Sequence, residues 1–144
     1  MRVPTITNNA RPSTFEVDAV NERGETVPTA IAGEHALTLY LDKRELVTLM
    51  TLGAAPEHLA LGYLRNQRLV SDIVELAAVQ VDWDTGSVAI TSRSLADRGV
   101  TIWEDAERGD VLAGRLGRRT VTTGCGQGTV FGDLMDEIDR IALP

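Results

Sequence analysis

The chain has 144 residues, 43% of them hydrophobic and 24% charged, a composition that excludes collagen, coiled coil and global disorder. Its net charge of −7 argues against a general nucleic-acid role, because neutralising phosphates supplies most non-specific affinity. No stretch approaches the roughly 20 apolar residues of a membrane span, and residues 1–12 lack the apolar run of a signal peptide. A cytoplasmic address is therefore expected, with neither membrane nor nucleic acid as partner. One cysteine excludes an internal disulfide, and with only His35 and His58 beside it a metal site is not expected.

Residues 1–14 are polar, contain Pro4 and Pro12, and read as a loose leader. Phe15 to Val20 alternates apolar and polar residues. A turn at Asn21, Glu22 and Gly24 leads to a return strand over Thr26 to Ile31. Leu37, Leu39 and Leu41 alternate with Thr38 and Tyr40, the period of a half-buried strand. After a polar break at Asp42-Lys43-Arg44, residues 45–51 return as the second strand of a hairpin. Pro56 suits the first turn of a helix, and Glu57 beside it favours the positive end of the macrodipole. Leu59, Ala60, Leu61, Tyr63 and Leu64 make that helix apolar around much of its girth, so it should be buried across a sheet. Arg65 to Arg68 form its polar exit.

A second hairpin is expected from Val79, Val81 and Trp83, a turn at Asp84-Thr85-Gly86, and Val88 and Ile90 on the return. Trp83 and Tyr63 read as core residues. Residues 93–118 show no sustained period and contain a basic cluster of Arg115, Arg118 and Arg119. Val121 to Thr123 is β-branched and reads as a short strand. The loop Gly124-Cys125-Gly126-Gln127-Gly128 follows. Phe131, Leu134, Met135, Ile138 and Ile141 stand at helical spacing, which predicts an amphipathic helix over 129–142.

Cys125 is the leading candidate for chemistry. A lone cysteine is commonly a small buried hydrophobe. Here Gly124, Gly126 and Gly128 have no side chains to bury the sulfur, and they let the backbone approach a ligand closely. A helix starting after Gly128, together with Arg118 and Arg119, would favour the nucleophilic thiolate, with Asp133 opposing. The loop amides also suit an anion, making Gly124, Gly126, Gly128, Arg118 and Arg119 weak ligand-binding candidates. No Gly-Lys-Ser/Thr follows, so this is not a P-loop. His35 and His58 read as surface or hydrogen-bonded structural residues.

Three blocks resemble the FdhD/NarQ family, in the family's order. Leu37-Thr38-Leu39-Tyr40-Leu41-Asp42-Lys43-Arg44-Glu45-Leu46-Val47-Thr48-Leu49-Met50 resembles its opening hairpin. Pro56-Glu57-His58-Leu59-Ala60-Leu61-Gly62-Tyr63-Leu64 resembles the helix that follows, and Thr123-Gly124-Cys125-Gly126 the start of its cysteine loop. The resemblance implies a sulfur carrier, a sulfurtransferase-type accessory protein of formate dehydrogenase. It would accept persulfide sulfur on Cys125 from a cysteine desulfurase and pass it to the molybdenum bis-guanylate cofactor as substrate. Cysteine desulfurase and formate dehydrogenase are the implied partners, and homo-oligomerisation is left open.

The chain departs from the family twice. Gly128 stands where many members carry a second cysteine. The larger deaminase-like domain that usually follows is largely absent, so a fragment, a truncated product or one half of a split protein is expected. The rival reading is a non-catalytic docking module that binds the desulfurase, formate dehydrogenase or the missing domain. A redox-sensing thiol is a third. The expected fold is α+β: antiparallel hairpins packed on a buried helix, a Gly-rich cysteine loop, then a C-terminal helix. The leader spans 1–14 and the family-like region 15–144, with a core over about 15–92 and a cysteine-loop segment over about 93–144.

Overall fold

A computed structural model describes residues 2–104 together with the backbone of residues 119–121 and 129–131. The fold is α+β. Among the described residues nine strands form: β1 (Thr5–Ile6), β2 (Thr14–Val20), β3 (Thr26–Ala32), β4 (His35–Leu41), β5 (Arg44–Thr51), β6 (Leu76–Asp82), β7 (Ser87–Ser92), β8 (Arg119–Val121) and β9 (Thr129–Phe131). Helix α1 covers Pro56–Asn66 and α2 Arg93–Arg98, with a 3-10 turn at Ile73–Glu75.

The alternation in β4 does what its period requires. Leu37, Leu39 and Leu41 are fully buried, while Thr38 and Tyr40 face the other way and are half-buried. Burying each leucine contributes roughly 2 kcal/mol. On the second face the Thr38 and Thr48 hydroxyls pair across β4 and β5 at 2.8 Å. Asp42 and Lys43 alone connect these strands, both at positive φ (45° and 72°), as a two-residue turn matching the twist of the strands demands. In the second hairpin Val79, Val81, Val88 and Ile90 supply the buried face, and Gly86 takes φ 64° in the turn.

The two hairpins lie in one sheet of order β1-β6-β7-β4-β5. Their junction is the parallel β4–β7 pair, in which Thr38 N–H donates to Gly86 O (2.8 Å) and Asp42 N–H to Ile90 O (2.9 Å). This mixed sheet was not expected from hairpin signals, which specify only antiparallel neighbours. The parallel contact needs a long crossover, and α1 provides it between β5 and β6.

Helix α1 opens with Pro56 at its start and buries Pro56, Glu57, Ala60 and Leu64, one face at four-residue spacing. Leu61 and Tyr63 pack partly buried against the core, and within the helix only His58, Arg65 and Asn66 are exposed, as its largely apolar girth requires. Leu69, Val70, Leu76 and Ile102 close the same core.

Two features depart from expectation. The segment expected to be a loose leader is tied down: β1 runs parallel to β6, pairing Thr5 with Ala78 and Ile6 with Val79. The hairpin of β2 and β3 was expected, but it stays outside the main sheet as a separate two-stranded arm with mostly exposed residues. Among the described residues no helix is long and apolar enough to cross a membrane.

Candidate functional site

Cys125 and its neighbours Gly124, Gly126 and Gly128, like Arg115 and Arg118, lie outside the described residues. Their surroundings in sequence are nonetheless informative. Arg119 begins β8, which pairs antiparallel with β9 so that Arg119 faces Phe131, Thr120 faces Val130 and Val121 faces Thr129. The two ends of the 122–128 segment that carries Cys125 are thus held side by side by a strand pair. This corrects the expected helix start. Residues 129–131 are strand, because Thr-Val-Phe is a β-branched and aromatic run with a β-branched partner opposite. The helix-dipole argument for a Cys125 thiolate therefore loses its basis directly after Gly128. The remainder of the expected helix, residues 132–142, lies outside the described residues.

The chain leading toward the cysteine is anchored at Asp42. This carboxylate is buried in the turn after β4. It accepts hydrogen bonds from Ser92 N–H (2.7 Å), Ser92 Oγ–H (2.5 Å) and Ile102 N–H (2.8 Å). Ser92 also caps α2, its hydroxyl accepting from Leu95 N–H at 3.2 Å. One residue on, Trp103 Nε1–H donates to Leu41 O (2.8 Å), and the Arg44 guanidinium lies 4.7 Å from the Trp103 ring centroid. The β4–β5 corner therefore grips residues 92–103, the last described stretch before the cysteine segment. The charge-assisted bonds compensate the cost of burying a carboxylate. Sequence reasoning read Asp42-Lys43-Arg44 as a polar break and missed the anchor, because its partners stand 50 and 60 positions away.

Glu57 is a second buried carboxylate with a structural task. It accepts from Thr7 Oγ1–H (2.9 Å) and Asn9 N–H (2.7 Å). Thr7 Oγ1 in turn accepts from Val81 N–H, and Asn9 Nδ2–H donates to Val81 O. This network ties the N-terminal segment to α1 and β6. Trp83 packs partly buried against the core and donates through Nε1–H to Asn9 O, so its core role holds and gains a polar partner.

His35 is half-buried with its ring centroid 5.3 Å from Trp83, on whose ring Arg11 also lies, 5.7 Å from the centroid. A groove of about 190 Å³ opens here between Arg11, Phe15, Gly33 and His35. His58 is exposed on α1. Among the described residues no three of His, Cys, Asp and Glu converge on a point that would hold a metal ion.

The architecture defines a class before any family: an α+β body that grips the lead-in to a strand-flanked cysteine segment. The FdhD/NarQ family model matches residues 32–144, from the end of β3 through the cysteine segment, and the chain belongs to that family. The family is linked to formate dehydrogenase maturation, which makes this chain a formate dehydrogenase accessory protein by membership. No curated protein and no solved structure matches the chain.

Proposed function

We propose that the chain is a sulfur carrier in formate dehydrogenase maturation, with Cys125 as the atom-bearing residue. The observation that carries this reading is the family match over residues 32–144, which includes the chain's only cysteine. Further support comes from the β8–β9 pair on either side of the 122–128 segment, which keeps the thiol's attachment points together.

The chemistry is a sulfur displacement. The Cys125 thiolate attacks the terminal sulfur of a persulfide on a cysteine desulfurase. A new S–S bond forms at Cys125, the donor's S–S bond breaks, and the desulfurase cysteine leaves as thiolate. The transfer is redox-neutral for the pair: Cys125 rises to the persulfide level as the desulfurase cysteine returns to thiolate, with no external oxidant or reductant. Release of the carried sulfur as sulfide takes two electrons. A second thiol supplies them by attacking the Cys125 sulfur, leaving a mixed disulfide and hydrosulfide. With Gly128 in the second position of the loop, that thiol comes from outside the loop. The molybdenum bis-guanylate cofactor is the acceptor substrate, and the desulfurase and formate dehydrogenase are the partners on this reading.

The test is intact mass after incubation with a cysteine desulfurase and free cysteine, for wild type and Cys125→Ala. A gain of one sulfur, removed by reductant and absent in the variant, is the expected result. No gain in a folded wild-type chain beside an active desulfurase refutes the carrier role.

A further inference from the structure

The β2–β3 arm has a surface that neither the main sheet nor sulfur chemistry uses. In its register Phe15 faces Ile31, Val17 faces Thr29 and Ala19 faces Val27. These pairs line one face, which is apolar apart from Thr29, with Phe15 53% exposed and Val27 and Ile31 each 40% exposed. The other face carries Glu16 and Asp18. An isolated two-stranded ribbon of this kind is marginally stable in water.

The backbone decides which edge is open to a further strand. Gly33 N–H donates to Ser13 O and Asn21 N–H to Glu25 O, so odd-numbered β2 residues bond inward. The N–H and C=O groups of Thr14, Glu16, Asp18 and Val20 therefore point outward. On β3 the outward positions are Thr26, Pro28, Ala30 and Ala32. Pro28 has no N–H, so that edge lacks a donor at its middle. The β2 edge has no such gap and runs for about 23 Å.

Charge selects the occupant. Residues 14–32 carry four carboxylates, Glu16, Asp18, Glu22 and Glu25, against Arg23 alone. A second copy pairing antiparallel about Val17 would set Glu16 opposite the partner's Asp18 on one face, and like charges directly opposed are destabilising. A foreign strand with Lys or Arg opposite Glu16 and Asp18, and apolar residues between them, would satisfy both faces at once.

We propose that the outer edge of β2 is a strand-addition site for an extended protein segment alternating basic and apolar residues. Backbone bonds to the outward groups of β2 supply affinity, and Glu16 and Asp18 supply selectivity. The site is independent of Cys125 and operates equally in Cys125→Ala, so its failure and that of the sulfur reading are separable.

The test titrates the full chain with a short end-capped peptide alternating Lys and Val, beside a Glu/Val counterpart. The Lys/Val peptide should bind and protect the amides of Thr14, Glu16, Asp18 and Val20 from exchange, and the Glu/Val peptide should not bind. Glu16→Gln and Glu16→Pro both remove the charge, but only proline removes the outward donor. Glu16→Gln should weaken binding by about two- to fivefold and Glu16→Pro by about tenfold more. Retained protection of the inward Phe15 and Val17 amides shows that the arm survives the proline. If it does not, Val20→Pro, also at an outward position, replaces it. Equal binding by the Gln and Pro variants, protection on β3 instead of β2, or no binding by wild type would overturn the proposal.

Discussion

Replacing Asp42 with Asn keeps the size of the side chain and its tolerance of a left-handed backbone, here at φ 45°. What changes is acceptor capacity. The carboxylate takes Ser92 N–H on Oδ1, and both Ser92 Oγ–H and Ile102 N–H on Oδ2. An amide has one acceptor oxygen. The serine hydroxyl can rotate to accept from the new NH2 group, but one buried backbone N–H, of Ser92 or of Ile102, then faces a donor. Leaving that group unpaired costs about 1–3 kcal/mol, and the surviving bond loses its charge assistance, about 1 kcal/mol more. Asp42→Asn should therefore destabilise the fold by about 3 kcal/mol. With a urea slope of about 2 kcal/mol/M, the unfolding midpoint falls by about 1.5 M at unchanged slope. Amide exchange should accelerate first at Ile102 and Ser92. A midpoint shift below about 0.3 M with Ile102 still protected would refute the anchoring role.

Two further substitutions probe the frame around this anchor. At Gly53 the backbone sits at φ 83°, and an added Cβ would lie 2.9 Å from Arg11 Cβ and 3.2 Å from His35 Cδ2. Gly53→Ala should cost about 2–3 kcal/mol in denaturant unfolding, from left-handed strain and displacement of both neighbours. Trp103→Phe removes the donor to Leu41 O and weakens the stack with Arg44, for a loss of about 1–2 kcal/mol. A double-mutant cycle with Arg44→Ala should return a coupling of about 0.5–1 kcal/mol, and zero coupling would remove the Arg44 contribution.

Local periodicity made much of this fold readable. The β4–β5 hairpin, α1 from Pro56 and the β6–β7 hairpin each carry their signal within a few residues, and each forms where that signal lies. The unread features are non-local. Nothing in β4 or β7 alone specifies their parallel contact, which depends on the crossover through α1. The grip of Glu57 on Thr7 and Asn9 spans 50 and 48 positions, so a polar N-terminal stretch with two prolines looked unattached. Residues 129–131 were misread because a short apolar run fits helix and strand templates equally, and the partner that decides between them is β8. Composition singles out Cys125, as the one thiol among glycines, and the residue lies within the span the family model matches.

Chain length sets a limit on how that thiol can work. Cys125 stands four residues from Val121 and four from Thr129, which face each other in the β8–β9 pair. Extended chain covers at most about 3.6 Å per residue, so a four-residue connection to either strand end spans at most about 14 Å. A standard protein interface takes about 800 Å² of each partner, a patch about 30 Å across. On the sulfur-carrier reading, donor and acceptor must therefore come to the same end of the β8–β9 ribbon, and their footprints overlap there. Loading and delivery are then successive events on one surface, separated by exchange of partners. A carrier working in this way has to hold its sulfur as a persulfide for as long as that exchange takes. The absence of a second cysteine at position 128 suits this, since no thiol within the loop competes to discharge Cys125 before the acceptor arrives.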